Sequence, residues 1–175
     1  EELLQGVEST DLIVLPEMFN TGNSMNPESL AEIRGLQTSK WMTQMAQRFD
    51  AAVVGSFITK DREGFSNRLY FVEPSGNYVF YDKVHLFSHA GEDVSYIPGR
   101  KKVVHSFRGW KLCFQICYDL RFPEFFRNHW VITSKVFVNI NKFLNSLDIF
   151  YTHILGNFNG IGTPRCNHRG SRTNK

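Results

Sequence analysis

The stretch Lys111-Leu-Cys-Phe-Gln-Ile-Cys117-Tyr-Asp-Leu-Arg-Phe-Pro-Glu-Phe-Phe126 decides how the rest of the chain is read: an apolar run stops at Cys117, and turn and helix-start residues come directly after it. Leu112, Cys113, Phe114 and Ile116 form a predicted buried strand. Asp119 is placed to cap the next element, and Pro123 suits the first turn of a helix, where its missing N–H costs nothing. Cys117 is thereby presented at a bend. A thiol there has two readings. It is a small buried hydrophobe, or it is an exposed nucleophile beside N–H groups that point to where an oxyanion could form.

Two other stretches weigh on that choice. Leu12-Ile-Val-Leu-Pro-Glu17-Met-Phe19 is an apolar strand ending in Pro-Glu, and Tyr78-Val-Phe-Tyr-Asp-Lys83-Val-His85-Leu-Phe87 is an alternating strand ending in Asp-Lys. A carboxylate, an ammonium and a thiol thus each stand at the carboxyl end of a predicted strand, where open α/β sheets place their ligands. Taken singly, Glu17 could be a solvated acid and Lys83 a surface lysine paired with Asp82.

Together, and in the order Glu, Lys, Cys, the three motifs resemble the nitrilase, or carbon–nitrogen hydrolase, superfamily, with the omega-amidases nearest. Gly91-Glu92, Tyr96-Ile-Pro-Gly99, Trp41-Met-Thr-Gln-Met-Ala46 and Asn67-Arg-Leu-Tyr70 extend the resemblance from about Leu12 to Asn128. The resemblance implies an α/β fold, the four-layer α-β-β-α sandwich, here without its first strand and second half. It implies hydrolysis of a small carboxamide, such as the terminal amide of a 2-oxo dicarboxylate monoamide. Cys117 would be the nucleophile, Glu17 the base, and Lys83 the oxyanion stabiliser together with the Tyr118 backbone N–H. Glu92 matches a second glutamate near the lysine. Lys83 and the helix start after Cys117 are expected to lower the thiol pKa from about 8.5. Arg121 either pairs with Asp119 to hold the elbow or attracts a substrate carboxylate. No cofactor is implied, and a homodimer or larger homo-oligomer is expected for the complete domain. Rival readings are a carbamoylase, a nitrile hydrolase, or a non-catalytic fragment or interaction protein.

Composition is that of an ordinary globular domain: 175 residues, 42% hydrophobic and 14% aromatic. Residues 1–128 carry 14 Lys/Arg against 16 Asp/Glu, a net of −2, whereas residues 129–175 carry 6 against 1, a net of +5. No aromatic-interleaved basic stripe accompanies that excess, so nucleic acid is not the expected partner. No run approaches the roughly 18 apolar residues of a membrane span. Three cysteines, Cys113, Cys117 and Cys166, fit neither a disulfide framework nor a zinc spacing. His105 lies in an alternating strand, and His85 and His89 sit in a loop without a carboxylate at ligand spacing, so a metal is not expected. A reducing, cytoplasmic compartment is expected, with a mitochondrial address left open by a chain that opens on Glu1.

Taken in order, residues 1–10 read as the end of a helix before a Leu12–Leu15 strand. Ser39 caps a helix with Trp41, Met42, Met45, Ala46 and Phe49 on one face. Strands are predicted at Ala51–Ile58, Arg68–Val72, Tyr78–Tyr81 and Val103–Phe107, with loop from His85 to Pro98. Beyond Asn128 the family motifs stop; Val131–Ile140 reads as a strand and Phe143–Leu155 as a weak helix. The division expected is therefore residues 1–128 as a partial hydrolase domain and 129–175 as a basic tail, the latter the kind of sequence a shifted frame or retained intron would produce. A chain so cut would leave sheet surface bare and be insoluble or inactive.

Overall fold

Alternation in the central strands explains why two sheets close on each other. The computed structural model describes Leu4, Val7 and residues 10–33, 37–126, 136–140 and 153–155. In it β3 (Ala52–Lys60) is buried from end to end apart from its last residue. Ala52 and Val54 face the second sheet, while Val53 and Phe57 face a helix. The same period of two runs through β4 (Phe65–Val72), with Leu69 and Phe71 inward between the sheets and Tyr70 and Val72 outward.

β1 (Leu12–Val14) and β2 (Glu32–Ile33) run parallel to β3, β1 against Ala52–Val54 and β2 against Thr59 and Lys60. They share one edge of β3, and the chain between them leaves the sheet. β4 and β5 (Tyr78–Asp82) complete this sheet antiparallel. The second sheet has the order β6-β7-β8-β9, with β6 Val104–Phe107, β7 Trp110–Ile116, β8 Val136–Ile140 and β9 His153–Leu155. β7 and β8 are parallel, Leu112 opposite Val136 through Ile116 opposite Ile140.

Between the sheets lie Leu69, Phe71 and Tyr81 from one side and Leu112, Cys113, Phe114 and Ile116 from the other. Phe71 packs on Phe107 and Phe114 with centroids 5.4 Å apart in each case. Truncating a ring this buried typically costs about 3–5 kcal/mol. On the outer face of the first sheet, α1 (Gln37–Phe49) buries Met42, Met45 and Ala46 against Ile13, Leu15, Val53 and Phe57. Among the described residues the layers are therefore helix, sheet, sheet, as an incomplete α-β-β-α sandwich requires.

Three local expectations change. α1 begins at Gln37, so Ser39 is inside it; Glu32 caps it from outside, its Oε2 accepting the N–H of Gln37 at 3.1 Å and of Thr38 at 2.8 Å. A carboxylate brought by a neighbouring strand thus satisfies first-turn donors that a local cap would otherwise take. The predicted loop from His85 to Pro98 contains a 3-10 turn, Ser88–Ala90, and a short helix, α2 (Glu92–Ser95). His153–Leu155 is a strand rather than the end of a helix, because pairing with β8 prevails over a weak helical pattern. Residues 131–135 and 143–152, and most of residues 1–10 and of the basic tail, lie outside the described residues.

Candidate active site

Each of the three residues singled out from the sequence stands where the backbone breaks from a sheet. Glu17 lies in the segment that leaves the edge of β3: Leu15 N–H donates to Val54 O at 2.7 Å and Phe19 N–H to Ser56 O at 3.1 Å, while Met18 takes a left-handed φ of +47°. The Ser56 hydroxyl oxygen accepts the Met18 N–H at 3.0 Å, fixing this departure from the sheet. Lys83 comes directly after β5, its N–H donating to Asn67 O at 3.0 Å and its carbonyl accepting from Gly99 at 2.8 Å. Gly99 is required here, since a Cβ on it would stand 2.1 Å from Asp82 O.

Cys117 closes β7 with φ +46° and opens a 3-10 turn, Cys117–Arg121, before α3 (Pro123–Phe126). A non-glycine residue in that region is a small store of strain that persists only when its surroundings hold it. Asp119 holds it. Fully buried, its Oδ2 accepts from Ile116 N–H at 3.0 Å and from the Tyr81 hydroxyl at 2.7 Å. Its Oδ1 accepts from His85 N–H at 2.9 Å and contacts His85 Nδ1 at 2.8 Å. The capping expectation for Asp119 therefore changes direction: its carboxylate turns back onto β7 and β5.

These breaks bring Glu17, Lys83 and Cys117 together with Glu92. Lys83 Nζ donates to Glu17 Oε1 at 2.9 Å and to Glu92 Oε1 and Oε2 at 3.0 and 2.8 Å. Phe87 N–H also donates to Glu92 Oε2, at 2.6 Å. Glu17, Lys83 and Glu92 are 3%, 2% and 1% exposed, so two carboxylates and one ammonium share a nearly dry space. Burial works against the lysine's charge, yet the two carboxylates outweigh it and the Lys83 pKa is raised. The half-buried Cys117 thiol hydrogen-bonds Glu17 and its pKa is pushed up to about 12, first by burial and then by the charge of Glu17, with Lys83 pulling the other way. This corrects the expectation of a lowered thiol pKa: one ammonium shared by two carboxylates cannot offset burial and the nearer negative charge. The resting residue is a thiol beside a carboxylate.

Glu92 joins the cluster from the first turn of α2. Tyr118 stands next to Cys117 in the 3-10 turn, its ring between Phe87 and Phe122 at centroid distances of 5.0 and 5.3 Å. Arg121 is exposed, and the partners of Asp119 are Tyr81, His85 and Ile116, so the expected Arg121–Asp119 pair does not form. His85 stacks on Phe122 and His105 meets Glu73 at 2.8 Å. Among the described residues no three His, Cys, Asp or Glu side chains are placed to hold a metal ion. Sequence reading missed Asn67 as a site residue. Its Nδ2 donates to Glu17 Oε1 at 2.9 Å and to Glu92 Oε1 at 3.1 Å. The available signal was a polar residue beside the predicted strand Arg68–Val72.

A family model described as carbon-nitrogen hydrolase matches residues 2–142, running past Asn128 through β8. Omega-amidase YafV of Yersinia enterocolitica is 41% identical over 126 residues, covering 72% of this chain and 49% of that protein. The 2-oxoglutaramate amidase of Bacillus subtilis is 29% identical over 167 residues, covering 92% of this chain and 64% of that protein. The chain spans about half the length of the YafV relatives it matches. Among solved structures, XC1258 from Xanthomonas campestris, a CN-hydrolase superfamily protein with an arsenic adduct in the active site, superposes with a TM-score of 0.76 at 33% identity. That match covers 81% of this chain and 56% of that one. Saccharomyces cerevisiae Nit3, of the nitrilase superfamily, gives a TM-score of 0.62 at 28% identity over 71% of this chain and 48% of its own.

Proposed function

Because this chain belongs to the carbon–nitrogen hydrolase family, we propose that it hydrolyses the terminal amide of a small dicarboxylate monoamide, an omega-amidase reaction yielding the acid and ammonia. The observation that carries this reading is the cluster itself: a thiol on a strained turn, hydrogen-bonded to Glu17, whose other contacts include an ammonium that Glu92 holds from the opposite side. The choice of substrate rests on the relatives named for omega-amidase and 2-oxoglutaramate amidase activity.

An amide carbon is a poor electrophile, so the reaction needs a strong nucleophile, a proton carrier and stabilisation of the oxyanion. The Cys117 thiol passes its proton to the Glu17 carboxylate as its sulfur bonds to the carbonyl carbon, giving a tetrahedral oxyanion. Lys83 and the Tyr118 N–H stabilise that oxygen. All three Lys83 N–H groups are directed at carboxylates in the resting site, and the two-pronged contact with Glu92 is the one that can yield a donor to the oxyanion. Glu17 then gives its proton to the leaving nitrogen; the C–N bond breaks, and ammonia and a thioester remain. Glu17, again a carboxylate, takes a proton from water while the hydroxide bonds to the thioester carbon. Collapse breaks the C–S bond and the sulfur recovers its proton. The thiol's raised pKa makes Glu17 necessary, since free thiolate is scarce near neutral pH.

The test is ammonia release by the purified chain from 2-oxoglutaramate, with an N-carbamoyl amino acid and a nitrile in parallel and Cys117→Ala as control. Turnover of the amide alone, lost in Cys117→Ala, is expected. Preference for the carbamoyl compound or the nitrile, or unchanged turnover in Cys117→Ala, overturns the assignment.

A further inference from the structure

We propose that Asn67 is a positioning residue of this site, the neutral bridge that holds Glu17 and Glu92 in register with Lys83 and Cys117. It rests on the amidase reading for its kinetic consequences but not for its geometry. Asn67 belongs to β4, opposite Ile58 of β3, and is 1% exposed. One amide nitrogen reaches both carboxylates, Glu17 Oε1 at 2.9 Å and Glu92 Oε1 at 3.1 Å. The same two oxygens accept from Lys83 Nζ at 2.9 and 3.0 Å. Lys83 and Asn67 thus close a four-cornered ring with the two glutamates, and the backbone carbonyl of Asn67 also receives the Lys83 N–H.

The chemistry of the corner explains its residue type. Two buried carboxylates facing one ammonium leave a surplus negative charge that a dry site tolerates poorly. A second lysine would compensate it but would compete for the thiol's proton. An amide supplies two N–H donors without a titratable proton. Lys83 and Asn67 both donate to Oε1 of Glu17, so together they fix the carboxylate against rotation beside Cys117. The Asn67 side-chain oxygen, Oδ1, is buried and has no hydrogen-bond partner among the described residues. A side chain kept at that cost is explained by what its nitrogen does.

The experiment compares wild type, Asn67→Leu, which keeps the approximate volume and removes both donors, and Asn67→Asp, which keeps the shape and adds a carboxylate. Two readouts are taken: steady-state ammonia release, and the rate of Cys117 alkylation by iodoacetamide monitored by mass spectrometry. In Asn67→Leu, kcat falls about 10- to 100-fold with KM within about threefold, the span expected for losing hydrogen bonds to charged groups. Alkylation of Cys117 slows about tenfold, because the carboxylates are less compensated and disfavour the thiolate. Asn67→Asp is slower still at pH 8, and its rate relative to wild type rises as pH is lowered toward 6, because the introduced carboxyl group can donate once it is protonated. It touches Glu17 and Glu92 and, through its backbone, Lys83, and those three are coupled in turn to Cys117 and Tyr96; all are common to both proteins, so the ratio isolates the substituted side chain. Wild-type kcat and alkylation rates in a folded Asn67→Leu protein overturn the proposal. Wild type that releases no ammonia from any amide, with alkylation responding as stated, overturns the amidase reading and leaves the bridge standing.

Discussion

Replacing Glu17 by Gln separates the charge of this residue from its shape, and the structure predicts that the substitution moves two readouts in opposite directions. Cys117 has a pKa of about 12, against an ordinary 9.0, with burial the largest cause and Glu17 the next. At pH 8 such a thiol is ionised in about one molecule in 10,000. A carboxylate and a thiolate about 4 Å apart repel by up to about 4 kcal/mol at an effective dielectric near 20. Cys117 is only half-buried, so residual water screens this, and about 1–2 pKa units is the realistic release. Glu17→Gln should therefore raise the rate of Cys117 alkylation by iodoacetamide about 10- to 100-fold between pH 7 and 8. Amide turnover should fall at least about 1000-fold, because no group remains to carry protons between sulfur, nitrogen and water. Stability should change little, as Lys83 and Glu92 remain a matched pair at 2.8 Å. The assay is the alkylation rate at Cys117 by mass spectrometry beside ammonia release, with Cys117→Ala as blank. Slower alkylation in Glu17→Gln, or preserved turnover, would refute the reasoning.

Lys83→Arg keeps the charge but puts a planar fork where a tetrahedral ammonium reaches two carboxylates at 2.8–3.0 Å in a space 2% exposed, so turnover should drop at least about 100-fold, nearly as far as in Lys83→Ala. Turnover within tenfold of wild type would remove Lys83 from the mechanism. Alkaline pH should destabilise the fold through Cys117 and Tyr96, both raised to about 12. A raised folded-state pKa contributes stability that is present below the unfolded value, about 9 for the thiol and 10 for the phenol, and is lost as pH rises through the folded one. Thermal melting from pH 8 to 12 should show that decline, and Cys117→Ser should flatten its lower part. An identical pH profile in Cys117→Ser would show that the thiol is not linked to folding.

Glu17, Lys83 and Cys117 were legible in the sequence because each ends an apolar run. A polar group after a predicted strand must leave the sheet, and three such exits of different chemistry form a pattern a linear reading can detect. The strands were legible for a related reason, since Ala51–Ile58 and Arg68–Val72 are short, mostly apolar runs, whereas which of their residues face the second sheet and which face α1 is set by the packed layers. Charges and partners were not local. Asn67 meets Glu17 across 50 positions, and Glu32 caps α1 only because β2 runs beside β3. Arg121 lost Asp119 to Tyr81, which stands 38 positions away. Most telling is the thiol: Lys83 alone argues for a lowered pKa, and only the packed cluster decides otherwise. Burial and the count of charges within a few ångströms set a pKa, and both are sums over the whole fold rather than over a stretch of chain.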